Sequence, residues 1–319
     1  MTPTPSHTAV IALGGNALAP SGAQSTIHDQ FRHARESLGP VVALAREDWG
    51  LCLVHGNGPQ VGDELLRNER ARNEASPLPL GVLVAATAGW IGYMVQQSLE
   101  NALRRDECAR DVVTVITQVE VDPADPALVA PNKFVGHEVS AERARELAAE
   151  GHVVRADGRG RLRRVVGSPR PQAVHEARVI RRLVEAGTIV VACGGGGAPI
   201  FLDPQLGWEG VDAVVDKDLA AAVLARELGA ELLIILTDVD AVYANWGTPG
   251  QRALPRLSAS EAEALDRAGA FGEGSMAPKV RAAADFVRHT GGRAVITELS
   301  RGLDAVRGLA GTTITAENA

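Results

Sequence analysis

Aromatic side chains make up only 3% of this 319-residue chain, so its interior has to be built from Val, Leu, Ile and Ala packed around glycine turns. Lysine is scarcer still. Among 32 basic residues only Lys133, Lys217 and Lys279 are lysines, and arginine carries the remaining positive charge. Three cysteines, Cys52, Cys108 and Cys193, show no metal-ligand spacing and leave an odd thiol in any disulfide scheme, which points to a reducing cytoplasm. The longest apolar run, Leu83 to Val95, is broken by Gly89 and Gly92 and is too short to span a bilayer. Met1 to His7 has neither positive charge nor an apolar stretch, so no export signal is expected there. The net charge is −7, and the one basic cluster, Arg155 to Arg170, is short and glycine-rich, which disfavours nucleic acid as a partner. No Gly-x-x-x-x-Gly-Lys-Ser/Thr string occurs, and P-loop architecture is excluded with it.

What remains is a chain with 45% hydrophobic residues, long enough for one large or two modest domains. Short runs apolar on both faces recur at Thr8 to Leu13, Leu51 to Val54, Val112 to Gln118, Thr188 to Ala192, Leu232 to Leu236 and Arg293 to Thr297. They predict buried strands. Between them, helical periodicity covers Phe31 to Arg46, Gly81 to Arg105, Gln172 to Glu185, Ala213 to Leu228 and Pro278 to Arg288. Such alternation predicts an α/β fold with a mostly parallel sheet covered on both faces and ligands at the carboxyl ends of the strands. Residues 122–171 depart from the rhythm, with Pro-rich turns, a short helix at Ser140 to Glu150 and no apolar strand, and are expected to form a small flap over the site. The Gly/Pro-rich passage from Pro199 to Gly210 divides an N-terminal lobe, 1–205, from a C-terminal lobe, 206–319.

Three glycine loops follow predicted strands: Leu13-Gly-Gly-Asn-Ala17, His55-Gly-Asn-Gly-Pro-Gln-Val-Gly62 and Cys193-Gly-Gly-Gly-Gly-Ala-Pro199. Glycines there let backbone N–H groups approach an anion, and a helix start behind them adds a favourable dipole. Either of the first two alone is also what a tight strand-to-helix turn requires. Four successive glycines are harder to explain by turning, because each loses much backbone entropy on folding. Together the loops suggest a polyphosphate or acyl phosphate. Lys217 stands between Asp216 and Asp218 at the opening of a predicted helix, where either Asp could be the cap and where a lysine fixed by carboxylates could meet a transferring phosphoryl group. Lys279 follows Gly272-Glu-Gly-Ser-Met-Ala-Pro278, with Pro278 placed as the first helical residue. Lys133 lies at the root of the flap.

Ala12-Leu-Gly-Gly-Asn-Ala17, His55 to Gly62, Thr117-Gln-Val-Glu-Val-Asp-Pro-Ala-Asp125, Cys193 to Gly197, Asp216-Lys-Asp218, Leu236-Thr-Asp-Val-Asp240 and Gly274-Ser-Met-Ala-Pro-Lys279 resemble, in the same order, the motifs of carbamate kinases, members of the wider amino acid kinases. The resemblance runs from about residue 8 to 313. It implies an open eight-stranded sheet between helical layers with a protruding flap, a homodimer, and reversible phosphoryl transfer from ATP to carbamate, with Mg²⁺ held mainly through the nucleotide phosphates. By motif, Gly14, Gly15 and Asn16 with Gly56, Asn57 and Gly58, and Gly195 with Gly196, would hold the acyl and transferring phosphates. Lys217 and Lys279 would neutralise charge in the transition state, Asp218 would orient them, and Lys133 would reach the acceptor. Thr237, Asp238, Val239, Tyr243 and Met276 would border the nucleotide, and no resident metal ligand is implied.

The chemistry fits that assignment. Carbamate is already an anion and needs no general base, so His55 is expected to be structural. Departures from the family pattern fall in the flap, at Phe134, at Arg161 and Leu162, and at Gly167, and they bear on the acceptor. The alternative within the fold is a kinase for another small acid, phosphate or phosphonate. A nicotinamide-dependent oxidoreductase is disfavoured, because the spacing from Gly56-Asn-Gly58 to Gly62 is one residue too long. A non-catalytic sensor is disfavoured by the presence of all three lysines and Asp218.

Overall fold

The computed structural model describes residues 5–14, 26–158, 160–271 and 276–317. The chain opens with β1 (His7–Leu13), α1 (Ile27–Ser37), α2 (Gly39–Arg46) and β2 (Trp49–His55). The single helix expected from Phe31 to Arg46 is therefore two, because Leu38 closes α1 and Pro40 opens α2, where its missing N–H is not needed. Next come α3 (Gly58–Ala71), the long α4 (Leu80–Arg105), β3 (Val112–Thr114) and β4 (Gln118–Val121). The strand expected across Val112 to Gln118 breaks between β3 and β4, which join different sheets. Thr117 pins the crossing: its hydroxyl donates to the Val115 carbonyl and accepts from the Cys193 N–H.

The expected flap holds α5 (Pro126–Val129), β5 (Lys133–Val135), α6 (Ala141–Ala149), β6 (Val153–Ala156) and β7 (Leu162–Val166). Contrary to the expectation of no apolar strand there, β5 and β6 pair antiparallel on either side of β7. Val135, Leu147, Val165 and Val166 are buried and give this small subdomain a core too sparse to register as an apolar run. Val135 and Val166 also pack with Val61, Leu65 and Val84, which joins the subdomain to α3 and α4. The helix expected from Gln172 is in part a strand, β8 (Pro171–Val174), paired antiparallel with β4, and α7 (Ala177–Glu185) starts only after it.

The rest of the chain supplies β9 (Ile189–Ala192), β10 (Ala198–Asp203), β11 (Gly207–Gly210), α8 (Lys217–Leu228) and β12 (Leu232–Thr237). It continues with a small hairpin of β13 (Tyr243–Ala244) and β14 (Arg252–Ala253), then β15 (Arg256–Ser258), α9 (Ala259–Arg267), α10 (Met276–Thr290), β16 (Arg293–Glu298), α11 (Gly302–Val306) and β17 (Thr312–Thr315). The main sheet has eight strands in the order β15-β17-β16-β12-β1-β2-β9-β3, all neighbours parallel except β16 and β17. It is the expected α/β architecture. Along β1 the side chains of Val10 and Ala12 join the core shared with α8 and α10, while Ala9, Ile11 and Leu13 join that shared with α1, α2 and α4. Double burial explains why these strands read as unbroken apolar runs. Residue 205 lies in the turn of the β10–β11 hairpin, and the sheet continues across it, with β1 beside β12. None of the described helices is long and apolar enough to cross a membrane.

Candidate active site

The carboxyl ends of β1, β2, β9 and β12 lie side by side, so Gly14 and the loops leaving β2, β9 and β12 share one rim. At Gly14 an added Cβ would stand 3.0 Å from the Leu236 carbonyl oxygen, which keeps the ends of β1 and β12 close; Gly15 and Asn16 lie outside the described residues. After β2, the Gly56 N–H donates to the Leu13 carbonyl at 3.3 Å and Gly58 opens α3. The N–H groups of Gly58 and Gln60 in the first turn of α3 have no helical partner and could receive an anion, whereas Pro59 between them has no N–H. Asn57 is buried and donates its amide to the Thr87 hydroxyl at 2.9 Å, which in turn donates back into α4 at Leu83 and Val84. Thr87 carried no signal in the sequence.

His55 is also buried, and its Nδ1 lies 3.1 Å from the Gly56 carbonyl. Burial, with Lys217 adding repulsion, lowers its pKa to about 4 against hydrogen bonds that favour the charged form. It is neutral at physiological pH, in accord with a structural role.

Close packing accounts for the four-glycine loop. Cβ atoms at Gly194, Gly195, Gly196 and Gly197 would fall within 2.8 Å of His55, Asn57, the Val215 carbonyl and Val119 respectively. Gly195, Gly196 and Gly197 also have positive φ. The Gly196 N–H donates to the Cys193 carbonyl at 2.9 Å, so it is committed within the loop rather than free for a phosphate. Gly195 and Gly196 are thus the floor against which Asn57 and the approach to α8 are packed.

All three lysines converge. Asp216 caps α8, its Oδ1 accepting the N–H groups of Asp218 at 2.9 Å and Leu219 at 3.3 Å, while its Oδ2 accepts the Lys133 ammonium. Asp218 is buried and shared: Oδ1 takes Lys217 at 2.5 Å and Oδ2 takes Lys279 at 3.1 Å. Pro278 is in the third described position of α10 rather than the first, because the helix is already formed at Met276. Sequence patterning offers Asp216 or Asp218 as the cap and the fold selects Asp216, whose pairing with Lys133, 83 residues away, is visible only there. Formally the cluster carries three ammonium and two carboxylate groups, a net positive charge that is buried at Asp216, Asp218 and Lys279 and opens to solvent at Lys133, whose side chain is 36% exposed.

Burial by itself would raise both carboxyl groups. Lys133 first, then Lys217 and Lys279, hold Asp216 well below the usual carboxylate range, and Lys217 and Lys279 lower Asp218. Burial would also depress the Lys133 ammonium, yet Asp216 outweighs it and leaves that pKa raised. For Lys217 burial prevails over Asp218, with Lys279 adding repulsion, and its pKa is lowered.

A cleft of about 630 Å³ opens at the ends of β1, β12 and β16, lined by Gly14, Pro40, Leu236, Thr237, Asp238 and Glu298 among others. Two of the expected nucleotide residues, Thr237 and Asp238, line it; Val239 does not, and neither do the three lysines. Tyr243 lies on β13, its hydroxyl 2.9 Å from Asp240 Oδ1 and its ring edge-on to Trp246. Met276 packs against the core at the start of α10, one turn from Lys279.

A match to the amino acid kinase family model extends over residues 7–298. The chain belongs to the amino acid kinase family, among its carbamate kinases. The carbamate kinase of Pyrococcus horikoshii is 43% identical over 310 residues, 96% of this chain and 98% of that one. That of Escherichia coli K12 is 44% identical over 308 residues, 96% and 99% of the two chains. The structure of carbamate kinase from Giardia lamblia bound to citric acid aligns with a TM-score of 0.91 at 38% identity, covering 97% of this chain and 98% of that one. The same enzyme bound to AMP-PNP aligns with a TM-score of 0.88. The amino acid kinase fold is thus common to the Giardia enzyme and this chain.

Proposed function

We propose that this protein is a carbamate kinase, a phosphotransferase that interconverts ATP and carbamate with ADP and carbamoyl phosphate, working physiologically toward ATP. The observation that carries the proposal is the gathering of every lysine in the chain onto two adjacent carboxylates at the start of α8. Two anions must be brought into line, and their mutual repulsion is the main obstacle. Lys217 and Lys279, steered by Asp218, meet the charge that develops on the transferring phosphoryl group. Lys133 reaches the acceptor from the subdomain, and the first N–H groups of α3 with the loops at Gly14 and Gly56 to Gly58 hold the phosphates. No side chain has to remove a proton, in keeping with a neutral, buried His55.

Among the described residues no group of three or more His, Cys, Asp or Glu side chains could hold a metal ion, and Asp216 and Asp218 are occupied by lysines. The donor set therefore suits Mg²⁺ carried in on the nucleotide phosphates, where it would supply further charge neutralisation. Thr237, Asp238, Val239, Tyr243 and Met276 are assigned to the nucleotide side, which makes residues 206–319 the nucleotide lobe and 1–205 the acceptor lobe. We also read the protein as a cytoplasmic homodimer. Phe134, one of the departures in the subdomain, carries the Arg163 guanidinium over its ring at 5.6 Å, and Arg163 donates to the Gly136 carbonyl. Phe134 thus packs under Arg163 next to Lys133, which pairs with Asp216.

ATP formation from carbamoyl phosphate and ADP, coupled to NADPH production, tests the activity. Turnover that disappears in Lys217→Ala and Lys279→Ala is the expected result. Folded wild-type protein inactive in both directions, yet active on another acid in an acceptor panel, would replace carbamate with that acid.

A further inference from the structure

The ties between the small subdomain and the body beside Lys133 converge on α3. Glu69, near the end of that helix and 19% exposed, accepts Arg164 Nη1 on Oε1 and Arg143 Nη2 on Oε2, each at 2.7 Å. Arg164 lies on β7 directly across from Val135, two residues beyond Lys133 on β5, whereas Arg143 lies on α6. One carboxylate therefore holds both layers of the subdomain. Arg164 also reaches His152 Nδ1 at 3.1 Å, which fixes the guanidinium from its other side.

The next contact is backbone on backbone. A Cβ at Gly62 would stand 2.0 Å from the Gly136 Cα, so α3 and the residue after β5 meet with no side chain between them. His137 with Asp63 and Arg72 with Glu150 add pairs at 2.9 Å, more exposed and correspondingly weaker. The same helix begins at Gly58, on the loop after β2. At 1.5 Å per residue, about 16 Å of rigid rod separates that loop from Glu69.

We propose that Glu69 is a positioning residue, the mount that sets where Lys133 stands relative to the phosphate loop. The role rests on the carbamate kinase reading, which assigns Lys133 to the acceptor. Arg164 and Arg143 transmit the constraint through β7 and α6, and the Gly62–Gly136 contact is the pivot about which β5 would otherwise tilt.

Because the chain has only three lysines, brief reductive dimethylation read by mass spectrometry reports on Lys133 separately from Lys217 and Lys279. Glu69→Ala is expected to raise Lys133 labelling about fivefold with the other two unchanged, and Glu69→Gln, which keeps the packing, about twofold. In the coupled assay Glu69→Ala should raise KM for carbamoyl phosphate about tenfold with KM for ADP within about twofold, and add less than about twofold in a Lys133→Ala background. Unchanged Lys133 labelling in a folded Glu69→Gln or Glu69→Ala protein overturns the proposal, as does a KM effect that persists undiminished when Lys133 is absent. A labelling change in protein that has no carbamoyl phosphate activity upholds the mount and removes the kinase reading instead.

Discussion

Replacing Asp218 by Asn removes the carboxylate that Lys217 and Lys279 share while keeping the shape of the side chain. Stranding a buried charge destabilises a protein by on the order of 3–5 kcal/mol. That penalty has a ceiling, since a lysine can release its proton. From a reference pKa of about 10.4 to pH 7 the release takes roughly 4.6 kcal/mol, at about 1.36 kcal/mol per unit. Burial has already lowered Lys217, so less than the full amount remains, and a loss of about 3–4 kcal/mol at pH 7 is expected. The sign of the pH dependence follows. A lysine whose folded pKa is depressed binds fewer protons folded than unfolded, so stability rises with pH between the two values. The deficit of the variant relative to wild type should therefore shrink from pH 7 to pH 9, by up to about 1.4 kcal/mol per unit. Urea unfolding followed by tryptophan fluorescence at pH 7, 8 and 9 measures it. A deficit that stays flat or widens with pH would mean that Asp218 does not compensate these ammonium groups. Turnover should fall at least about a hundredfold.

Asp216→Asn keeps the cap of α8 and loses the pairing with Lys133, so Asp216→Ala should be less stable than Asp216→Asn by about 1 kcal/mol in chemical denaturation. Since the folded pKa of Asp216 is depressed, the advantage of wild type over Asp216→Asn is present above pH 4 and should close as pH falls below it. His55, lowered from 6.5 to about 4, must charge on acidification. Its burial should withdraw roughly 3 kcal/mol of stability between pH 6.5 and 4, a slope that His55→Gln flattens in pH-dependent melts, while the pH profile of kcat gains no limb from it. Cys52, pushed up to about 12, and Cys193, raised well above its usual value, are both buried. Titration with an aromatic disulfide should find one slow thiol, Cys108, in native protein and three after denaturation; rapid reaction of two or three native thiols would contradict that packing.

Six of the eight strands of the main sheet, β1, β2, β3, β9, β12 and β16, were legible because they are largely apolar on both faces, a pattern that needs no knowledge of neighbours; β15 and β17, short and partly polar, were not. The start of α8 was legible too, from an Asp placed where a helix needs a cap. The break at Leu38 between α1 and α2 was not, since an apolar stripe continues across it. The subdomain sheet escaped notice because Val165 and Val166 follow Arg163 and Arg164, whose charges find the Gly136 carbonyl and Glu69 only in the fold, and because Val135 closes a strand of just three residues that opens on Lys133.

By itself the sequence determined the layered α/β architecture, the glycine loops at the strand ends and the singling out of three lysines, since composition and periodicity are local properties. Only the tertiary structure decided that Lys133 meets Asp216, that Lys217 and Lys279 share Asp218, and that the four glycines stand against His55, Asn57, the Val215 carbonyl and Val119. Lys133 and Asp216 are 83 residues apart and Lys279 and Asp218 are 61 apart, and the strength of these pairings comes from exclusion of water, which no stretch of sequence can produce until the chain has closed around it.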